Sequence, residues 1–481
     1  MQHQLRILFL SLSIVAAAVH GQQLIWSDPI VVHRGDQDPI RPRIVLNGDQ
    51  QPVVLWGEAS PGANFIAVGE GNSFSVANQI HPGGIQPAAE YWQGSDLASY
   101  GNSIHAVMKL TPEISGGIYV VSSYDGGYTW SDTLRVDQVP GYKTRFSSIA
   151  VNGNGEPLVQ YMRIDLDEIG HRTMVSRIVD GSVQAPIDVS SPFTAGEDCD
   201  CCPGQIMANG DRVAALFRDA TENMRVIWAA ISNDGGATFD QGAQIDPTDW
   251  VLNACPSSGA DGVIDGDRMR YVWMSGANEG KKIFYGSADG DLADIAVMQV
   301  HPDQPQSVAQ DHPRLAGSGD TLGVAWQQNA AAQTEVLFTW KLPGMVSFQA
   351  PDTVNVELAG PQRSPDVAFS NNMFHLVWAD YQENAVMYRT ATIAPSIGMQ
   401  EKEIGTIAIW PVPADDRLHL DTQDLPRVAT VRIYSAIGAL VRSLPLTPSI
   451  DVSSLAPGWF TLSIEDGNGV RIARGKVLIA R

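Results

Sequence analysis

The chain has 481 residues, with 45 glycines and 12 tryptophans, only 17% charged residues, a net charge of −22 and a pI near 4.7. This balance argues against nucleic acid or an anionic membrane surface as partner, because both are bound through a basic footprint. The length leaves room for one large domain with a sizeable core plus a smaller one, and the glycine-rich, charge-poor composition suits a turn-rich β fold.

The first residues read as a secretory signal over 1–21. Arg6 supplies the positive start, Ile7 to Val19 form an apolar run of about 13 residues, and cleavage after Gly21 leaves Gln22 first. That run is too short to span a bilayer, and no later segment approaches the apolar length a transmembrane helix needs.

From about residue 22 to 395 one unit recurs: a short apolar strand, a turn with Gly, Asn or Asp, and a second apolar strand that often ends on an aromatic residue. Clear copies start at Pro42, Pro203, Pro256, Pro313 and Pro365, and weaker ones span Leu97–Lys109 and Ser147–Tyr161. The spacing of roughly 50–57 residues fits four strands per unit. The last unit shows only three strands, and the unpaired segment Leu24–His33 is available as its fourth. The expected fold is all-β: a seven-bladed propeller closed by strands from both ends of the repeat region, or a six-bladed one if a weak copy is irregular.

Two turns between third and fourth strands share the pattern S-x-D-x-G-x-T-[WF]: Ser123 to Trp130 and Ser232 to Phe239, with a degenerate copy at Ser287-Ala288-Asp289-Gly290. The aspartate can accept local backbone N–H groups, and glycine tolerates positive φ. On these turns the region resembles the sialidase-like (BNR, Asp-box) propellers. That resemblance implies that Asp125 and Asp234 are structural and lie on the face opposite the active site. It also implies a secreted or cell-surface protein acting on acidic glycans, with exo-sialidase hydrolysis as the reaction if it is an enzyme.

In a propeller, the starts of the innermost strands and the ends of the second strands share one face. Aligning the repeats puts Arg41, Arg314 and Arg363 near the former and Arg218 with Asp219 near the latter. Guanidinium groups around one opening suit a carboxylate, phosphate or sulfate; the competing reading is salt-bridging to nearby aspartates. The family's Phe-Arg-Ile-Pro signature is absent, its nearest match being Arg41-Pro42-Arg43-Ile44. Sialidases use a tyrosine nucleophile; Tyr161 is the first candidate here, with Tyr91 beside Glu90, and Glu222, as further ones. Asp219, Asp96 and Asp380 are candidate acids. No cofactor is expected.

The four cysteines, Cys199, Cys201, Cys202 and Cys255, fall in one quarter of the chain. Export favours disulfides that tie adjacent blades, with a thiolate site for copper(I) or zinc as the weaker reading because Cys-x-Cys-Cys is not the usual zinc spacing. Two alternatives to a glycan-active enzyme stay open: a non-catalytic glycan- or protein-binding propeller, and a metal or redox surface protein built on these cysteines.

After a linker over 396–406, alternating apolar residues from Ile407 to the C-terminus predict six or seven short strands in a small β-sandwich. The segments Val431–Tyr434 and Asp451–Phe460 resemble the C-terminal sorting domain of the type IX secretion system, although Trp410-Pro411-Val412-Pro413 departs from that family's opening in two of four positions. The resemblance implies the type IX machinery as partner, and a location outside the outer membrane.

Overall fold

A computed structural model describes residues 23–481 apart from 60–61, 139–140, 278–279, 303, 331–332, 395–404, 423–424, 426–427, 437 and 467–470. The signal segment 1–21 and most of the linker lie outside the described residues. The chain divides into two compact units, Met1–Ile393 and Ala394–Arg481.

The described residues of the first unit form seven antiparallel sheets, numbered here 1 to 7 in chain order. Their innermost strands are Pro39–Leu46, Asp96–Tyr100, Tyr142–Val151, Gln205–Asn209, Asp261–Asp265, Ala309–Ser318 and Gln362–Ser370. Each touches the next, and the seventh touches the first, so the sheets close into a ring around a central channel: a β-propeller. Sheet 7 supplies three strands of its own. Its outer positions are taken by Leu24–Trp26 and Ile30–Arg34, both paired to Ala385–Ile393. Ring closure leaves no long open edge to recruit a foreign strand.

Cross-strand pairing fixes the register of the repeat. Arg43 opposes Leu55, Ser148 opposes Gln160, Gln205 opposes Leu216, and Asp261, Arg314 and Asp366 oppose Val272, Ala325 and Val377. One residue further along each second strand stand Trp56, Tyr161, Phe217, Trp273, Trp326 and Trp378, all buried between neighbouring sheets. Burying such a ring is worth roughly 2–3 kcal/mol. These aromatics explain why the repeat is visible in the sequence.

The two S-x-D-x-G-x-T turns have the same geometry. Asp125 Oδ1 accepts from the backbone N–H groups of Tyr128 and Thr129, its Oδ2 accepts from the Thr129 hydroxyl, and Ser123 Oγ donates to it. Asp234 repeats this with Ala237, Thr238 and Ser232. Each turn is clasped by an asparagine from the preceding sheet, Asn47 on Gly126 O and Asn152 on Gly235 O. Because these turns follow the third strand, they lie at the end of the ring opposite the innermost-strand starts.

The second unit has a five-stranded sheet, in the order Gly405–Thr406, Arg471–Ile479, Gly458–Asp466, Ala429–Ser435, Leu440–Pro445, and a three-stranded sheet of Ile409–Trp410, Arg417–Leu420 and Ser449–Asp451. They share one core that includes Leu418, Ile433, Val452, Leu462 and Val477. Strand pairing thus starts at Gly405, inside the stretch assigned to the linker from sequence.

Hydrogen bonds from Thr129 hold Asp125 down at about pH 2, against an ordinary value of 3.8. A depressed carboxylate stabilises the fold above its unfolded pKa and stops doing so as pH falls through the folded one. Thermal unfolding should therefore show a loss between about pH 4 and pH 2 that Asp125→Ala reduces. At neutral pH the same substitution should cost about 1 kcal/mol in chemical denaturation, a modest figure because solvent screens the exposed turn.

Candidate functional site: the channel mouth

One register position of the innermost strands points into the channel. Sheets 1 to 7 place there Arg43, Asp96, Ser148, Gln205, Asp261, Arg314 and Asp366. The three carboxylates among them also stitch the ring, each accepting a backbone N–H from the following sheet: Asp96 from Ile149, Asp261 from Leu315 and Asp366 from Ile44. Arg314 bridges across. Its Nε lies 2.7 Å from Asp366, its Nη1 3.4 Å from Asp261 and its Nη2 3.9 Å from Asp96. Arg43 adds a contact of 3.5 Å to Asp96.

The carboxylates push the Arg314 pKa upward despite its burial. With three aspartates sharing these cations, burial wins at Asp261, whose carboxyl rises to about 6. Arg314, expected as a ligand-binding arginine, is therefore committed to the channel floor. Salt-bridging to aspartates, the competing reading, holds at this residue.

Above that floor four innermost strands carry a bulge, seen as register shifts after Ile40, Arg145, Asp311 and Arg363. Each bulge contains a non-glycine residue with positive φ: Arg41 (45°), Phe146 (53°), His312 (50°) and Ser364 (51°). All four line one cavity, whose volume is about 40 Å³ before it opens to solvent at the mouth. Left-handed backbone costs such residues of order 1–2 kcal/mol, and strain of this kind clusters at functional sites. Proline follows three of them, where the bulge asks no N–H of the ladder.

Arg41 makes no hydrogen bond or ion pair among the described residues, and its Nε is buried without a partner. Burial first, then Arg43 and Arg314, lower its pKa to about 9. Arg363 has no carboxylate within 4 Å among the described residues, although the charge of Asp38 is near enough to interact with it. Its guanidinium sits over the rings of Tyr91 (5.2 Å) and Tyr381 (5.3 Å), with Nε unpartnered. Tyr91 ties the group together: its hydroxyl lies 3.2 Å from His312 Nε2 and accepts from Gln327 Nε2 at 3.0 Å. Burial lowers His312 to about 4, so it is neutral at ordinary pH. The mouth thus offers two uncommitted guanidinium groups beside a tyrosine hydroxyl and a neutral imidazole.

Other expected residues lie elsewhere. Tyr161 occupies the buried aromatic position of sheet 3. Its hydroxyl is 3.4 Å from Ser176 Oγ, and burial raises its pKa to about 12. Repeat alignment alone held that answer, because Tyr161 falls where the other sheets have Trp56 or Trp378. Arg218 is 2% exposed, donates to the carbonyls of Arg225, Ser258 and Met274, and lies 5.8 Å from the Trp250 ring. Asp219 accepts from the N–H and hydroxyl of Thr221. Both are structural pieces of sheet 4. Asp96 belongs to the floor, and Asp380 accepts from the N–H groups of Gln382 and Glu383. Of the further candidates, Tyr91 reaches the mouth and Glu90 is exposed.

Cys201 and Cys255 form a disulfide across 54 residues, while Cys199 and Cys202 are free and buried. Sulfur atoms of Cys199, Cys201 and Cys202 fall within 4.8 Å of one another, but Cys201 is held in the disulfide, which leaves two thiols, fewer than a closed thiolate metal site uses.

Residues 408–479 match the family described as the secretion system C-terminal sorting domain, so the second unit is an export-sorting domain of the type IX kind. No curated protein matches the chain. Among solved structures the chain is similar to a protein of unknown function from Dyadobacter fermentans, at 13% identity over 77% of this chain and 99% of that one, with a TM-score of 0.43. A Hadza microbial sialidase is similar at 10% identity, covering 74% and 66%, TM-score 0.41. A polysaccharide lyase, an ulvan lyase, is similar at 10%, covering 76% and 94%, TM-score 0.48. None of the described helices is long and apolar enough to cross a membrane.

Floor and mouth separate by stability. Arg314→Met leaves the buried carboxylates of Asp261 and Asp366 without a cation and should cost about 3–5 kcal/mol in urea unfolding. Arg41→Met removes a buried, unpaired cation from a strained position and should change stability by less than about 1 kcal/mol, or raise it.

Proposed function

We propose that the propeller is an exported, glycan-active protein that takes the acidic group of a sugar at the channel mouth, clamped by Arg41 and Arg363. The observation that carries this reading is that neither arginine makes an ion pair among the described residues in a protein of net charge −22, while Arg314 and Arg43 just below them do. Holding two guanidinium groups ready with no carboxylate in direct contact is unfavourable unless a ligand anion supplies one. The C-terminal sorting domain agrees with an extracellular ligand, and an exported chain of this kind ends on the cell surface or in the medium.

In the catalytic form of this reading, Tyr91 is the nucleophile of an exo-sialidase-type hydrolysis. His312, 3.2 Å from its hydroxyl, accepts a hydrogen bond from the phenol and fixes the direction of its oxygen. One observation favours the non-catalytic alternative: the Tyr91 hydroxyl meets His312 and Gln327, Glu90 is exposed, and no glutamate among the described residues bonds the phenol.

Both forms predict that acidic oligosaccharides bind and neutral ones do not. In calorimetry Arg41→Ala and Arg363→Ala should each weaken binding at least about tenfold, the scale of one charge-assisted contact. Failure of both substitutions to change affinity would remove the reading. A fluorogenic sialoside separates the two forms: turnover abolished by Tyr91→Phe supports catalysis, and absence of turnover with binding intact leaves the receptor.

A further inference from the structure

The four cysteines are arranged as two pairs in contact. Cys199 Sγ lies 2.9 Å from Cys202 Sγ and 3.5 Å from Cys201 Sγ, which is itself bonded to Cys255. Two independent structural disulfides need no such convergence; exchange between them does, because a thiolate must reach a disulfide sulfur. The backbone holds the cluster in place. Cys199 N–H donates to the carbonyl of Arg218, and Cys202 N–H to that of Cys199. The guanidinium groups of Arg218 and Arg225 are near enough to favour a thiolate at Cys199, whose pKa is lowered first by its hydrogen bond with Cys202. Burial instead raises Cys202. Cys255, at the far end, is exposed, and with Cys201 it lines a surface pocket that shares Trp92 and Phe146 with the channel mouth.

We propose that this cluster is a thiol–disulfide exchange site, in which Cys199 and Cys202 form a redox pair that trades its disulfide with Cys201–Cys255. The Cys199 thiolate attacks Cys201 Sγ. The Cys199–Cys201 bond forms as the Cys201–Cys255 bond breaks, and Cys255 leaves as a thiolate that takes up a proton. Cys202, deprotonated in turn, attacks Cys199 Sγ, forms Cys199–Cys202 and releases Cys201. Two thiols and one disulfide are present before and after, so no external oxidant or reductant enters. The net change moves a reactive thiol from the buried pair to exposed Cys255, where a dithiol or disulfide in the medium can meet it. The same short segment carries Ser258, whose hydroxyl accepts the N–H of His312 at 3.3 Å, so the exchange site adjoins the mouth without depending on what the mouth binds.

The test uses the full-length protein brought to one disulfide per chain with limiting reductant, followed by differential alkylation and peptide mapping. The expected result is two interconverting populations, Cys201–Cys255 and Cys199–Cys202, whose exchange quickens as pH rises and thiolate increases. Cys199→Ser should leave Cys201–Cys255 alone. Cys202→Ser should stall the sequence, adding Cys199–Cys201 with a free Cys255, and serves equally if the first variant does not fold. Finding Cys201–Cys255 as the sole pair at every pH would overturn the proposal. So would an unchanged distribution in Cys199→Ser, or a stoichiometric metal ion that shields all four cysteines from alkylation.

Discussion

Arg314 sits on the axis of the ring, where the buried aromatics that join neighbouring sheets do not reach. Seven sheets packed side by side leave a channel along the axis, too polar to fill with apolar side chains and too narrow to leave open. A single guanidinium reaching carboxylates from sheets 2, 5 and 7 joins sheets that are not neighbours. The same three aspartates hold backbone N–H groups of sheets 3, 6 and 1. Every one of these groups is costly to bury alone, and the network is favourable only as a whole. A floor made this way lets the layer above it be built with strained and unpaired residues.

How much of this was legible in the sequence follows the physics of each feature. The repeat showed because it is made by local patterning: alternation, turn glycines, and an aromatic at one register position, from Trp56 to Trp378. Turn chemistry showed for the same reason, since Asp125 and Asp234 bond within their own few residues. The division of arginines into floor and mouth did not show. Arg41, Arg43 and Arg314 are alike in sequence context, and only a bulge of one residue separates a side chain that meets Asp366 from one that meets nothing. A bulge preceding proline, as at Arg41-Pro42 and His312-Pro313, was the available signal. Tyr91 was harder, because it lies in a long excursion before sheet 2, outside any repeat, and reaches His312 from 221 positions away.

Tyr161, Arg218 and Asp219 teach the complementary lesson. They lie close in sequence to the strand ends that face the mouth, and chemistry assigned by proximity misplaced them. One residue along a strand turns a side chain from one face of the sheet to the other. Tyr161 therefore packs between sheets, and Arg218 satisfies carbonyls of sheets 4 and 5 while holding the backbone beside the cysteines.

The strands Leu24–Trp26 and Ile30–Arg34 complete sheet 7 by pairing with Ala385–Ile393, more than 350 residues away. Whichever end emerges first, the circle stays open until the opposite end arrives. The seventh sheet therefore forms only once both ends of the repeat region are present, and its completion reports that the ring is whole. Truncated chains lacking the seventh repeat would carry unpaired strands at both ends of an open arc, which marks them for proteolysis or aggregation in the compartment they reach.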